Sequence, residues 1–136
     1  MDPIAVRDAV YHCEILSGFE EPHLDFLIKN GRIKHFIENQ TIYRKGEEAN
    51  GTFCLIASGN ANIISENGEI LYAIEPGNII GEIGTISPQS KRTITVRASD
   101  EVAAVEWDLE AISKELPGLF ENLRDLARNR TLNWHY

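Results

Sequence analysis

The sequence predicts a mainly β domain, an antiparallel jelly-roll barrel with helices at both ends. Three observations predict it. Glycine turns at Gly46, Gly59, Gly68 and Gly77 recur at spacings of about nine to thirteen residues. The runs between them are short, apolar and rich in β-branched residues. The two ends carry apolar residues at helical spacing instead. All 136 residues are expected to form one domain, with N-terminal helices over 1–31, the barrel over 32–108 and a C-terminal helical segment over 109–136.

Val6, Val10, Cys13 and Leu16 mark the first helix. Pro22 suits the first turn of a second helix, and Gly31 suits its end. From Arg32 the period becomes two: Ile33, His35 and Ile37 alternate with polar neighbours, and Thr41-Ile42-Tyr43 continues in strand-like composition. Phe53, Leu55 and Ala57 alternate with Cys54 and Ile56 and stop at Ser58-Gly59-Asn60. Ala61-Asn62-Ile63-Ile64 and Ile70-Leu71-Tyr72-Ala73-Ile74 flank Asn67-Gly68, a pair that tolerates positive φ at both positions and so signals a tight hairpin. Pro76-Gly77 reads as a type II turn. Strands over Thr93–Ala98 and Val102–Trp107 complete the barrel. Leu116-Pro117 then opens a last helix whose apolar face is Leu119, Phe120, Leu123, Leu126 and Ala127.

Several classes are excluded. A net charge of −8 disfavours nucleic acid as a direct partner, and no helix-turn-helix is legible. No apolar run approaches the ~20 residues that cross a bilayer. Met1-Asp2-Pro3-Ile4 lacks the basic-then-apolar pattern of a secretory signal. Cys13 and Cys54 lie far apart and read as reduced thiols, so a cytoplasmic location is expected. His12, His23, His35 and His135 show no metal-ligand spacing, and no nucleophile–base arrangement stands out, so neither a metal nor a catalytic role is expected.

The chemistry concentrates in Gly81-Glu82-Ile83-Gly84 and Arg92-Thr93-Ile94-Thr95-Val96. A glycine turn lets the backbone aim N–H groups at an oxyanion. An arginine fork matches a phosphate through two parallel hydrogen bonds. A carboxylate repels phosphate but accepts from a hydroxyl beside it. Glu82 and Arg92 therefore suit an anion that also carries a sugar hydroxyl.

This stretch resembles the phosphate-binding cassette of cyclic-nucleotide-binding domains, found in catabolite-activator-type regulators, cyclic-nucleotide-dependent kinases and cyclic-nucleotide-gated channels. Gly81-Glu82-Ile83-Gly84 stands where that family has Gly-Glu-aliphatic-small, and Arg92 through Val96 where it has Arg-small-x-x-Val. The likeness extends from about Gly31 to Asp125. It implies cAMP or cGMP as ligand and no other cofactor. It implies phosphate contacts from Arg92, Thr93, Ile83 and Gly84 and ribose contacts from Gly81 and Glu82. It also implies an apolar wall of Ile63, Leu71 and Ile80 under the base, and a lid from Arg130 or Trp134 in the last helix. In the empty state Glu82 and Arg92 are expected to pair with each other. The expected role is a sensor that signals through its C-terminal helix to a protein partner or an adjoining effector domain, with a homodimer compatible with that role. The alternative is an interaction module on the same fold that binds no nucleotide; such members usually lack the arginine, which is present here.

Overall fold

The computed structural model describes residues 3–134 and the side chains of residues 4–131. Helix α1 (Pro3–His12) is followed by a 3-10 turn (Glu14–Leu16) and helix α2 (Glu21–Asn30). Eight strands follow: β1 (Arg32–Phe36), β2 (Thr41–Tyr43), β3 (Thr52–Ser58), β4 (Ala61–Ile64), β5 (Ile70–Ile74), β6 (Ile79–Ile80), β7 (Thr95–Ala98) and β8 (Val102–Asp108). Helix α3 (Glu82–Ile86) lies between β6 and β7, and α4 (Leu109–Ser113) and α5 (Leu119–Trp134) close the chain. The strands form two antiparallel sheets in the orders β1-β8-β3-β6 and β2-β7-β4-β5.

Two cores share the first of these sheets. Strand β3 sends Phe53 and Leu55 to the helical side and Cys54 and Ile56 to the space between the sheets. Strand β8 likewise sends Val105 and Trp107 one way and Val102 and Ala104 the other. Period-two alternation thus buries both faces, which is why these strands read as nearly continuous apolar runs. The helical core gathers Val6, Val10, Cys13, Leu16, Leu24, Leu27, Leu119 and Leu123. The barrel core gathers Tyr43, Ile63, Ile74, Ile80, Val96 and Ala98. Trp107 Nε1 donates to the Leu27 carbonyl at 2.8 Å and fixes α2 to the sheet. Gly31 makes that approach possible, because a Cβ there would lie 2.3 Å from Val105 Cγ1.

The first helical segment is shorter than its apolar spacing suggests. Cys13 is extended and splits it into α1 and the 3-10 turn, although Val6, Val10, Cys13 and Leu16 are all buried. Helix α4 buries Leu109 and Ile112, and Asp108 caps it by accepting from the Glu110 and Ala111 amides. Helix α5 opens after Gly118, whose φ is +93°, rather than at Leu116-Pro117. Asn122 Nδ2 ties α5 to the N-terminal segment through the Ile15 carbonyl at 2.9 Å. Among the described residues no helix is long and apolar enough to cross a membrane.

Candidate ligand-binding site

The site forms where β6 passes into α3 and the following loop returns to β7. Gly81 has a φ of +85°, a left-handed turn that suits glycine, and α3 starts on the next residue. The leading N–H groups of α3 have no acceptor within the helix. Gly84 is required for space: a Cβ there would lie 2.7 Å from the Lys91 carbonyl oxygen. The loop beyond α3 is pinned to the β2–β3 connection by Arg92 N–H to Glu47 O and Ala49 N–H to Ser90 O, both at 2.8 Å. Arg92 is thereby delivered to the barrel mouth from the far side of the cassette.

Two arginines meet the cassette, and both are buried, each about 5% exposed. Arg130, from α5, donates to Glu82 Oε1 at 2.9 Å and to the Ile79 carbonyl at 2.5 Å. Glu82 is 1% exposed, so this is a buried ion pair joining the last helix to α3. Arg92 instead meets neutral oxygens. Its Nη1 donates to the carbonyls of Thr52 (2.9 Å) and Gly81 (3.1 Å). Its Nη2 donates to Ala49 O (3.0 Å) and Thr52 Oγ1 (2.8 Å). Among the described residues no carboxylate pairs with it, and its Nε is buried without a partner. The Tyr43 ring lies under the guanidinium, 3.7 Å from ring centroid to Cζ.

The expected pairing of Glu82 with Arg92 is corrected by these contacts. Glu82 takes Arg130, because α5 packs on α3 and reaches the carboxylate from the helical side. Thr93 and Ile83 are half-buried and line one small cavity with Gly81, Glu82, Gly84 and Arg92, so the structure brings the expected phosphate and ribose residues together. Ile63 and Ile80 are both in the barrel core. Leu71 is not brought to that wall. It is 50% exposed, because the register opposes Ile63 to Tyr72 and residues directly opposite share a face. Tyr72 packs against the barrel core instead, on the same side of β5 as the buried Ile74. The Trp134 side chain lies outside the described residues.

Sequence reasoning missed Tyr43 and Thr52. A bulge separates Thr41 from Tyr43 in β2, so they pair with Arg97 and Val96 and alternation does not place the Tyr43 ring; composition alone gave it no partner. Its hydroxyl contacts Cys54 Sγ at 2.9 Å. Burial pushes the Cys54 thiol up to about 12, and burial also raises the Tyr43 phenol. The pair is neutral and positions the ring rather than reacting.

The cyclic nucleotide-binding domain family matches residues 33–116, which contain the whole cassette. The chain belongs to this family. As a cyclic nucleotide-binding domain, it is 38% identical over 96 residues to acetyltransferase Pat of Mycolicibacterium smegmatis, a match covering 67% of this chain and 28% of that protein. Its fold is similar to the regulatory domain of Toxoplasma gondii PKA solved with cAMP, with a TM-score of 0.80 at 17% identity over 93% of this chain and 50% of the other. It is also similar to cAMP-bound PfPKA-R, with a TM-score of 0.80 at 20% identity over 98% of this chain and 45% of that one. The domain thus spans half or less of each of these relatives.

Proposed function

We propose that this domain senses a cyclic purine nucleotide, cAMP or cGMP, with Arg92 as its phosphate ligand and Glu82 as the acceptor for a ribose hydroxyl. One observation carries the reading. Among the described residues Arg92 is a buried cation with no carboxylate partner and one unpartnered N–H. A buried charge without a counter-charge is costly. A phosphate would neutralise it and satisfy the remaining donor. Thr93 and the Ile83 and Gly84 amides border the same space and would share the phosphate. Ile63 and Ile80, with Tyr72 in the place expected for Leu71, would form the apolar wall under the base.

Glu82 couples this site to α5. A ribose hydroxyl on Glu82 competes with Arg130 for the same carboxylate, and Arg130 belongs to the helix that closes the domain. Ligand then shifts the position of α5 by its differential affinity for the two arrangements. Residues 1–31, 32–108 and 109–136 are read as the helical, barrel and signalling parts of one regulatory unit. It is read as non-catalytic itself and as acting on an adjoining effector or a protein partner in the cytoplasm. The name of the mycobacterial relative makes an acetyltransferase the kind of effector to seek.

Calorimetric titration with cAMP and cGMP tests the reading. A charge-assisted contact is worth ~1.5–3 kcal/mol, so Arg92→Ala is expected to weaken binding about ten- to a hundredfold. A 2′-deoxy analogue is expected to bind the native domain more weakly than the parent nucleotide. Wild-type affinity in a folded Arg92→Ala protein would refute the assignment.

A further inference from the structure

We propose that Tyr43 is a positioning residue of the site: its ring holds the Arg92 guanidinium in a stowed arrangement that a nucleotide must undo. The proposal rests on the reading of Arg92 as phosphate ligand. All four terminal N–H groups of Arg92 are spent on Thr52, Gly81 and Ala49, which leaves only Nε–H to offer. A two-bond grip on a phosphate therefore requires at least one of those bonds to break.

The space tells the same story. The cavity bounded by Tyr43, the cassette, Arg92, Thr93 and Ile94 measures about 10 Å³, scarcely one water and far short of a phosphate. Tyr43 is itself 6% exposed and fixed at both ends, by its hydroxyl on Cys54 and by its ring face on Arg92. Gly81 packs against both partners: a Cβ there would lie 2.7 Å from Tyr43 Cε2 and 2.8 Å from Arg92 Nη1. On the other side, Arg92 borders an open groove that Glu47, Glu48 and Glu106 also line. Glu48 is paired with Lys91 and Glu106 with Arg32, so these carboxylates are engaged elsewhere and the hydrogen bonds and the ring are what hold the guanidinium. Ring and carbonyls act together as an internal competitor for the arginine, so Tyr43 sets how tightly the phosphate is held.

The test is titration of the full chain with cAMP and cGMP, alongside Tyr43→Leu, Tyr43→Phe and Arg92→Ala. Tyr43→Leu removes the π face at similar volume. It is expected to bind the preferred nucleotide about three- to tenfold more tightly while melting at a lower temperature. A merely structural role would lower both quantities. Tyr43→Phe keeps the ring but loses its anchor on Cys54 and is expected to bind between wild type and Tyr43→Leu. A second reading needs no variant. The Arg92 Nε–Hε resonance of the native protein should be ring-shifted upfield without nucleotide and lose that shift at saturation. If Tyr43→Leu binds no more tightly than wild type while Arg92→Ala binds weakly, the stowing role alone is wrong. A ring shift that persists at saturation overturns it equally, even where Tyr43→Leu does not fold. If Arg92→Ala binds like wild type, the phosphate reading falls and this proposal falls with it.

Discussion

The two sides of α3 solve one problem in opposite ways. On the helical side Arg130 is buried against the Glu82 carboxylate, and the two charges cancel. On the barrel side Arg92 is equally buried, yet among the described residues it meets carbonyls, a hydroxyl and an aromatic face and no carboxylate. The first arrangement cancels its own charge, and removing either partner strands the other. The second satisfies hydrogen bonds but leaves net charge, so it gains when an anion arrives. Burial alone therefore does not distinguish a structural arginine from a ligand-binding one; the charge of what surrounds it does.

The largest effect should come from breaking the completed side. Arg130→Ala leaves Glu82 buried and unpaired and is expected to cost ~3–5 kcal/mol of stability in chemical denaturation. Arg130→Met with Glu82→Gln should recover most of it. If Arg130→Ala were neutral, the contrast between the two arginines would be lost.

A smaller effect sharpens the barrel side. Tyr72→Ala removes a half-buried ring from the wall beneath the proposed base site and is expected to weaken nucleotide binding severalfold. Leu71→Ser lies on the outer face and should change stability by less than about 0.5 kcal/mol, with no change in binding. Equal losses in both variants would place the register of β5 wrongly.

The smallest effect near neutral pH belongs to the thiols, one in each core. Burial pushes Cys13 from 9.0 to about 11 and Cys54 to about 12. Both folded values lie above the unfolded one. Their contribution is therefore fully present below pH 9 and is lost as pH rises through 11 and 12. Between pH 6 and 8 the denaturation midpoint should not respond to them, and alkylation of the folded protein at pH 8 should be slow. Fast labelling of Cys54 would show that the barrel core opens without unfolding.

Much of this was legible in the sequence because it is local. Asn67-Gly68 and Pro76-Gly77 announce their turns through φ alone, and Gly68 and Gly77 do adopt positive φ. Pro22 sits in the first turn of α2 as its missing N–H allows. Glu82 and Arg92 could be singled out because few side chains suit a phosphate and a hydroxyl side by side. What was not legible depends on packing between distant segments. Glu82 lies 48 residues from Arg130, and nothing in either neighbourhood names the other. Whether Leu71 or Tyr72 faces inward turns on the register of β5 against β4, a one-residue matter in which composition favours the wrong residue. Tyr43 was read as a strand former, and only tertiary structure lays its ring under Arg92.

The hydrogen bond from Trp107 to Leu27 has a practical consequence. This indole is 1% exposed and sits in the helical core, while Tyr43 and Ile63 belong to the barrel core. Its emission in the native protein should therefore be blue-shifted and insensitive to polar quenchers such as iodide. It should redden only when α2 parts from the sheet. With Trp134→Phe removing the second indole, the protein thus carries an optical reporter of helix–sheet separation, in the same core as Leu119 and Leu123 of α5.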